Sequence, residues 1–369
     1  MVCIHALPSS SHYRWLGFYW IGKPHELLPR IALVTGATGY VGSTFISYLL
    51  EKGWHVRALV RDKDSAKAQP WVDRVALVEG NANSEEDLVR ALESVDVAYY
   101  LLHSMGKGEE FERAEAEMAL TFANAIRSAG TGRVVFLGAL HPVVDDLSPH
   151  LRSRTRVGQI LSSSGALTAC VQAGMVFGDG SASYAMLRHL AERLPMVLAP
   201  SWVLNKITPI SASNLVALLE GAGRVDFPRS RTFDVGGPED VRYADLIVRY
   251  AKFFGLGPRP VVTAPVVTPS VAARAVSALT PVDTQMAVHL VESLENDTVV
   301  SERDLESLLE RTDGEALKLD TIEDAFAASA RHVNPRRWWW VLAGTSTAVL
   351  GAGAVAVAGT DVKSLWLEF

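Results

Sequence analysis

Residues 32–62 read ALVTGATGYVGSTFISYLLEKGWHVRALVRD. An apolar run halts at Gly36, and glycine recurs at Gly39 and Gly42 in steps of three. A helical pattern follows and closes at Gly53. A second apolar run then ends in Arg61. In a strand–turn–helix unit each of these glycines has a separate task. The first permits the tight turn, the second lets a pyrophosphate approach the backbone, and the third lets the helix pack close to the strand. The N–H groups opening the helix then face phosphate. Gly36, Gly39 and Gly42 are therefore expected to bind a dinucleotide.

The same alternation continues outward. VALVEGN reads as a third strand, SEEDLVRALES as a helix, and VDVAYYLLH as a fourth strand. EEFERAEAEMALTFANAIRS reads as a long helix over 109–128. GRVVFLGA, RSRTRVGQILSSSG and ALTACVQAG continue as strand, helix and strand. Strict alternation predicts an α/β fold with a doubly wound parallel sheet, and ligands bind beyond the carboxyl ends of such strands. This nucleotide-binding core is expected over 31–180. Prolines break up the pattern after Gly174, so 181–333 is expected to form a smaller substrate lobe completing the same domain.

The two ends read differently. Residues 1–30 lack a basic start and an apolar run, and they are expected to be a disordered extension. Residues 338–360 carry no charge, follow Arg336 and Arg337, and open with three tryptophans. About 20 apolar residues span a bilayer core, and basic residues before the span stay cytoplasmic. A C-terminal transmembrane helix is therefore expected, with the main domain on the cytoplasmic side of the cell membrane. A buried helix rich in Ala and Gly is the competing reading.

Composition limits the function classes. The chain has 369 residues, 49% hydrophobic and 21% charged, with net charge −6. No basic stripe is present to neutralise phosphates, so nucleic acid is not an expected partner. The two cysteines, Cys3 and Cys170, have no metal-ligand spacing. No HExxH, CxxC or nucleophile elbow occurs, so neither a metal site nor a hydrolase is expected. The sequence does not show an oligomeric state.

Arg61 bears on the choice of dinucleotide. An NAD site carries Asp or Glu at the end of the second strand to accept from the ribose hydroxyls. Arg61 stands there, with Asp62 behind it. A guanidinium matches a 2′-phosphate in charge and fork geometry. NADP(H) is therefore favoured over NAD(H). The alternative is a solvated Arg61, with Asp62 taking the ribose.

VTGATGYVG, ALVRD, VDVAYYLLHSMG, VVFLGAL and PHLRSRTRVGQILSSSG together resemble the atypical short-chain dehydrogenase/reductase superfamily over residues 31–300. The likeness is greatest to NmrA-like and complex-I-accessory-subunit-like NAD(P)-binding proteins. The resemblance implies a Rossmann-type fold. It implies that Gly36, Thr38, Gly39, Tyr40, Val41, Arg61, Asn81 and Ala82 contact the adenosine and pyrophosphate. It places Leu101, Leu102 and His103 on the nicotinamide side.

Complete members carry Ser after the fifth strand and a Tyr-x-x-x-Lys pair on the next helix. One helical turn puts both pair members on one face. Here the alignment places Gly138 and Ala139 at the serine, His150 at the tyrosine and Arg154 at the lysine. Arg154 is too basic for proton transfer. His150 is a candidate proton donor, as are His103 and His141 at strand ends. Two readings follow. One is an NADP(H)-dependent reductase or epimerase-like enzyme on a hydrophobic or membrane-resident small molecule. The other is a non-catalytic dinucleotide sensor or assembly factor at a membrane.

Overall fold

A computed structural model describes residues 30–103, 108–142, 147–263 and 268–330. The first part alternates as β1 (Ile31–Thr35), α1 (Tyr40–Glu51), β2 (His55–Val60), β3 (Ala76–Glu79), α2 (Glu85–Leu92), β4 (Val97–Tyr100), α3 (Gly108–Ala129), β5 (Arg133–Ala139), α4 (Pro149–Ser162) and β6 (Leu167–Ala173). No α-helix separates β2 from β3. Two short 3₁₀ turns, Lys63–Ala66 and Val72–Arg74, make that crossover.

The second part runs β7 (Val176–Phe177), α5 (Ala182–Arg193), β8 (Val197–Ala199), β9 (Lys206–Ile207), β10 (Ile210–Ser211), α6 (Ala212–Arg224) and β11 (Arg231–Val235). It continues with β12 (Val241–Arg242), α7 (Tyr243–Phe253), β13 (Val261–Thr263), α8 (Pro269–Leu279), α9 (Thr284–Glu292), α10 (Asp304–Asp313) and α11 (Ile322–Ser329).

Seven strands form one parallel sheet in the order β11-β6-β5-β4-β1-β2-β3. The order reverses between β1 and β4. A crevice opens at such a reversal, at the carboxyl ends of the strands. Thr35 there lies beside Tyr100. β1 and β4 are apolar and buried almost throughout, because helices cover both faces. On one face the core gathers α1, α6 and α10; on the other it gathers α2, α3 and α4. A further apolar core joins α5, α7, α8, α9 and α11 into a lobe.

The seventh strand, β11, comes from well beyond residue 180 and pairs with β6. The chain leaves the sheet for the lobe, returns through α6 and β11, and leaves again. Sheet and lobe thus share the segment that the sequence assigned to the lobe alone.

Of the expected extension over residues 1–30, residues 1–29 lie outside the described residues, as does the expected span over 338–360. Among the described residues, no helix is long and apolar enough to cross a membrane.

Candidate functional site

The glycine turn stands at the carboxyl end of β1. Gly36 has φ +69°, and a Cβ there would lie 2.5 Å from the Leu101 carbonyl oxygen. Only glycine accepts both that conformation and that approach. A Cβ on Gly42 would collide with the Gly36 carbonyl, so this third glycine lets α1 close onto the turn. A Cβ on Gly39 would meet only the Gly36 carbonyl oxygen, at 3.3 Å. Thr38 and Gly39 are exposed. Gly39 caps α1 without a side chain, which leaves the first N–H groups of the helix facing out. An open, backbone-lined cradle of this shape fits a pyrophosphate.

Thr35 fixes the turn to the neighbouring strand. Its hydroxyl donates to the Tyr99 carbonyl at 3.1 Å and accepts from the Leu101 N–H at 3.3 Å. Tyr40, the first residue of α1, turns its ring toward the other lobe. Its hydroxyl fills the space that a Cβ on Gly178 would take. Burial, with the Asp179 carboxylate adding to it, pushes the Tyr40 phenol up to about 12. Tyr40 ties the turn to the loop after β7, while its backbone stays in the cradle.

Arg61 follows β2 and is exposed. With Glu79, Gly80, Asn81 and Asp87 it lines a cleft of about 380 Å³. Asp87 accepts from the Asn81 N–H at 2.9 Å and from Arg90 at 2.7 Å. Those bonds, the Asn81 one foremost, hold its carboxyl below the usual range. Asn81 is thereby fixed at the end of β3, with Ala82 next to it. Asp62 accepts from the Asp64 N–H at 2.8 Å and caps the 3₁₀ turn. A carboxylate committed to that cap is a poorer ribose acceptor than a free one.

The other side of the crevice holds the residues aligned with the catalytic set. Arg154 is 5% exposed. It donates to the carbonyls of Leu102, at 3.1 Å, and Leu137, and lies 3.4 Å from the Glu115 carboxylate. Its guanidinium sits over the Phe136 ring at 4.7 Å. Ser153 donates to Glu115 at 3.0 Å. Arg154 thus clamps the ends of β4 and β5 together, with its donors turned into the protein.

His150 is the second residue of α4, after Pro149 and the Ser148 cap. Burial, then the charges of His103, His289 and Arg154, hold it well below the usual imidazole range. His103, just after β4, is exposed, and its ring centroid lies 5.1 Å from that of His150. His141 is held separately. Its Nδ1 lies 3.0 Å from the Pro142 carbonyl and its Nε2 lies 3.1 Å from the Gln172 amide nitrogen. A carbonyl only accepts, so this network assigns the proton to Nδ1 and makes Nε2 the acceptor from Gln172.

Sequence reasoning missed three members of this region: Glu115, Phe111 and His289. Glu115 carried a readable signal. Phe111, Glu115, Ala119 and Phe122 follow the buried stripe of α3, and a carboxylate on that stripe demands a partner. His289 carried no such signal.

Sheet order, glycine turn and crevice together define a Rossmann-type dinucleotide-binding fold. Residues 30–179 match the model of the NmrA-like family. The ceramide reductase of Caulobacter vibrioides is 26% identical over 170 residues, which cover 45% of this chain and 53% of that protein. The chain thus spans about half the length of the curated relative it matches. Among solved structures, the triphenylmethane reductase of Citrobacter sp. complexed with NADP(H) superimposes with a TM-score of 0.62 at 16% identity, covering 81% of this chain and 99% of that one. MoeE5 in complex with UDP-glucuronic acid and NAD gives 0.60 at 19% identity, covering 81% and 97%. A nucleoside-diphosphate-sugar epimerase from Staphylococcus aureus gives 0.62 at 13% identity, covering 80% and 99%. At these identities the likeness is one of fold.

Proposed function

We propose that the chain is an NADP(H)-dependent oxidoreductase of the NmrA-like kind that reduces a carbonyl on a hydrophobic small molecule. One observation carries the reading: an open glycine cradle at the β1/β4 reversal lies one strand away from the cleft that Arg61 lines. Gly36, Gly39 and Gly42 would hold the pyrophosphate. Arg61 would pair with the 2′-phosphate. Glu79 in the same cleft suits an amine or hydroxyl donor. Leu101, Leu102 and His103 would border the nicotinamide. When bound, that ring supplies the hydride. His150 would donate a hydrogen bond to the carbonyl oxygen, as a neutral imidazole does in other active sites, and that oxygen would take the alcohol proton from solvent on the side of the exposed His103. Arg154 would act as a positioning residue, fixing Leu102 and therefore the backbone leading to His103. The reductase names among the relatives and neighbours support this reading.

The deciding experiment is a fluorescence titration of the full chain with NADPH and NADH, alongside Arg61→Ala. Charge-assisted hydrogen bonds contribute about 1.5–3 kcal/mol, a factor of roughly ten to a hundred in affinity. NADPH binding is expected to weaken by that factor, with NADH nearly unchanged. Equal loss for both would remove Arg61 as the 2′-phosphate partner. No binding of either would end the reading.

A second reading is favoured by the substituted Ser, Tyr and Lys positions: a dinucleotide sensor or assembly factor without turnover, anchored at a membrane through 338–360. It expects tight dinucleotide binding with no oxidation of NADPH across a panel of carbonyls. Turnover that is lost in His150→Ala would exclude it.

A further inference from the structure

Three imidazoles meet beside the end of β4. His103 follows the strand, His150 lies in the first turn of α4, and His289 arrives on α9 from the lobe. Their ring centroids stand 5.1, 4.8 and 5.8 Å apart. Phe111 of α3 stacks on His289 at 5.3 Å. His150 and His289 are 8% and 7% exposed, whereas His103 is open to solvent. Sheet and lobe therefore each contribute to one cluster.

The buried members have unmet hydrogen-bonding capacity. Among the described residues, His150 Nδ1 and both ring nitrogens of His289 have no hydrogen-bond partner. A buried polar atom without a partner costs about 1–3 kcal/mol, so such atoms point to a missing ligand or water. The charged groups around the cluster limit what that partner is. Arg154, one turn below His150, already lies against Glu115. Glu292 lies 3.9 Å from His289 Nδ1. Arg152 and Glu112 pair with each other at 2.8 Å on the outer side of α4 and α3. Among the described residues, the guanidiniums of Arg154 and Arg152 already face Glu115 and Glu112, so an anionic ligand would meet Glu292 without them to offset it. Among the described residues, no group of His, Cys, Asp and Glu is arranged to hold a metal ion. A neutral oxygen suits the cluster best, because it accepts from one imidazole N–H and, as a hydroxyl, donates to another. Phe111 gives the cluster an apolar wall, and Met286 and Leu290 of α9 lie against the apolar core of the lobe.

We propose that His103, His150 and His289 form one oxygen-binding subsite whose ligand is a ketone or alcohol on an apolar carbon chain, with His289 a third substrate-contacting residue. This rests on the oxidoreductase reading and narrows its substrate class. The lobe completes the subsite through His289, so the ligand bridges sheet and lobe.

The test is an NMR titration of the full chain carrying isotope-labelled histidine, near neutral pH, with 2-decanone and 2-decanol as probes. Decanoate and UDP-glucose serve as controls. His103→Gln, His150→Gln and His289→Gln assign the resonances. Both neutral probes are expected to shift His150 and His289 saturably, and decanoate and UDP-glucose are not. His289→Gln is expected to weaken probe binding about tenfold with the NADPH affinity unchanged. His289→Phe, which fills the volume beside Phe111, checks the same loss with a different packing. Probes that shift neither buried histidine, UDP-glucose shifting both, or full probe affinity in folded His289→Phe would each overturn the proposal. NADPH affinity is read on the same samples. Its absence in the unsubstituted chain would end the nucleotide reading, while the probe shifts would still decide the subsite.

Discussion

Arg154→Met separates a structural clamp from a solvent-facing ligand. The guanidinium is buried, lies 3.4 Å from Glu115, and donates to two carbonyls at strand ends. Methionine keeps much of the volume and removes the charge and every donor. Glu115, 3% exposed, would keep the Ser153 hydroxyl but lose the guanidinium 3.4 Å away. Breaking one partner of a buried pair costs about 3–5 kcal/mol, because the remaining charge stays desolvated. For a domain of this size that is a fall in Tm of roughly 6–20 °C. Glu115→Leu should cost a similar amount by leaving Arg154 uncompensated. Combined, the two substitutions should recover at least about 2 kcal/mol relative to the sum of the singles, since neither charge remains. The residual loss would come from the Leu102 and Leu137 carbonyls. Urea unfolding of all four proteins completes the cycle. A cost below about 1 kcal/mol for Arg154→Met, or simple additivity in the double variant, would refute the clamp.

Gly42→Ala places a methyl group on the Gly36 carbonyl. It should abolish dinucleotide binding or the fold, whereas Gly53→Ala, remote from the cradle, should leave NADPH affinity intact. Asp62→Ala removes the cap of the 3₁₀ turn; a loss of about 1 kcal/mol in urea unfolding is expected, with NADH affinity unchanged, and a large loss of NADH affinity would restore Asp62 as a ribose ligand. The stability profile should slope with pH. His150 and His189 are both held below the usual imidazole value by burial, His189 at about 4. Each binds fewer protons folded than unfolded, so their contribution is complete above the unfolded value near 6.5 and is lost as pH falls toward the folded values. Tm measured from pH 7 down to pH 4 should therefore decline, and less steeply in His189→Phe. An unchanged slope would assign the decline to other groups.

The parts of the fold set by short-range chemistry were legible. The spacing of Gly36, Gly39 and Gly42 foretold a turn that only glycine permits, and the alternation through ALTACVQAG foretold six parallel strands. The end of β2 carried enough signal to single out Arg61, which the fold puts in a cleft with Asn81. What escaped was set by tertiary closure. RTFDV has the pattern of any short buried strand, and nothing in it says that the chain returns to pair with β6 after visiting the lobe. Asp62 stood in the sequence as the alternative ribose ligand, and its cap to the Asp64 N–H is invisible there without φ and ψ. His289 sits in TQMAVHLVE, where the lone histidine looks like an ordinary residue of a half-buried helix. Only the approach of α9 to α4 brings it to His150.

The substitutions at the aligned Tyr and Lys positions make sense as a pair. In the Tyr-x-x-x-Lys arrangement the lysine charge lowers the tyrosine pKa and also reaches the ribose. Glu115 takes up the charge of Arg154 inside the protein. A tyrosine at position 150 would therefore have lost the cation that makes it acidic. Histidine needs no such help: its ordinary pKa already lies near neutrality, and burial against neighbouring positive charge keeps it uncharged. An uncharged imidazole donates a hydrogen bond to a carbonyl without bringing a second cation beside Arg154. His150→Tyr should therefore introduce a phenol of high pKa, further raised by burial. Arg154→Lys should not rescue that variant while Glu115 is present, because the new ammonium would remain paired with the carboxylate. Adding Glu115→Gln to His150→Tyr and Arg154→Lys should lower the pKa of the introduced phenol, a change read directly by ultraviolet difference titration. No change in the titration on adding Glu115→Gln would show that Glu115 is not what takes up the charge at position 154.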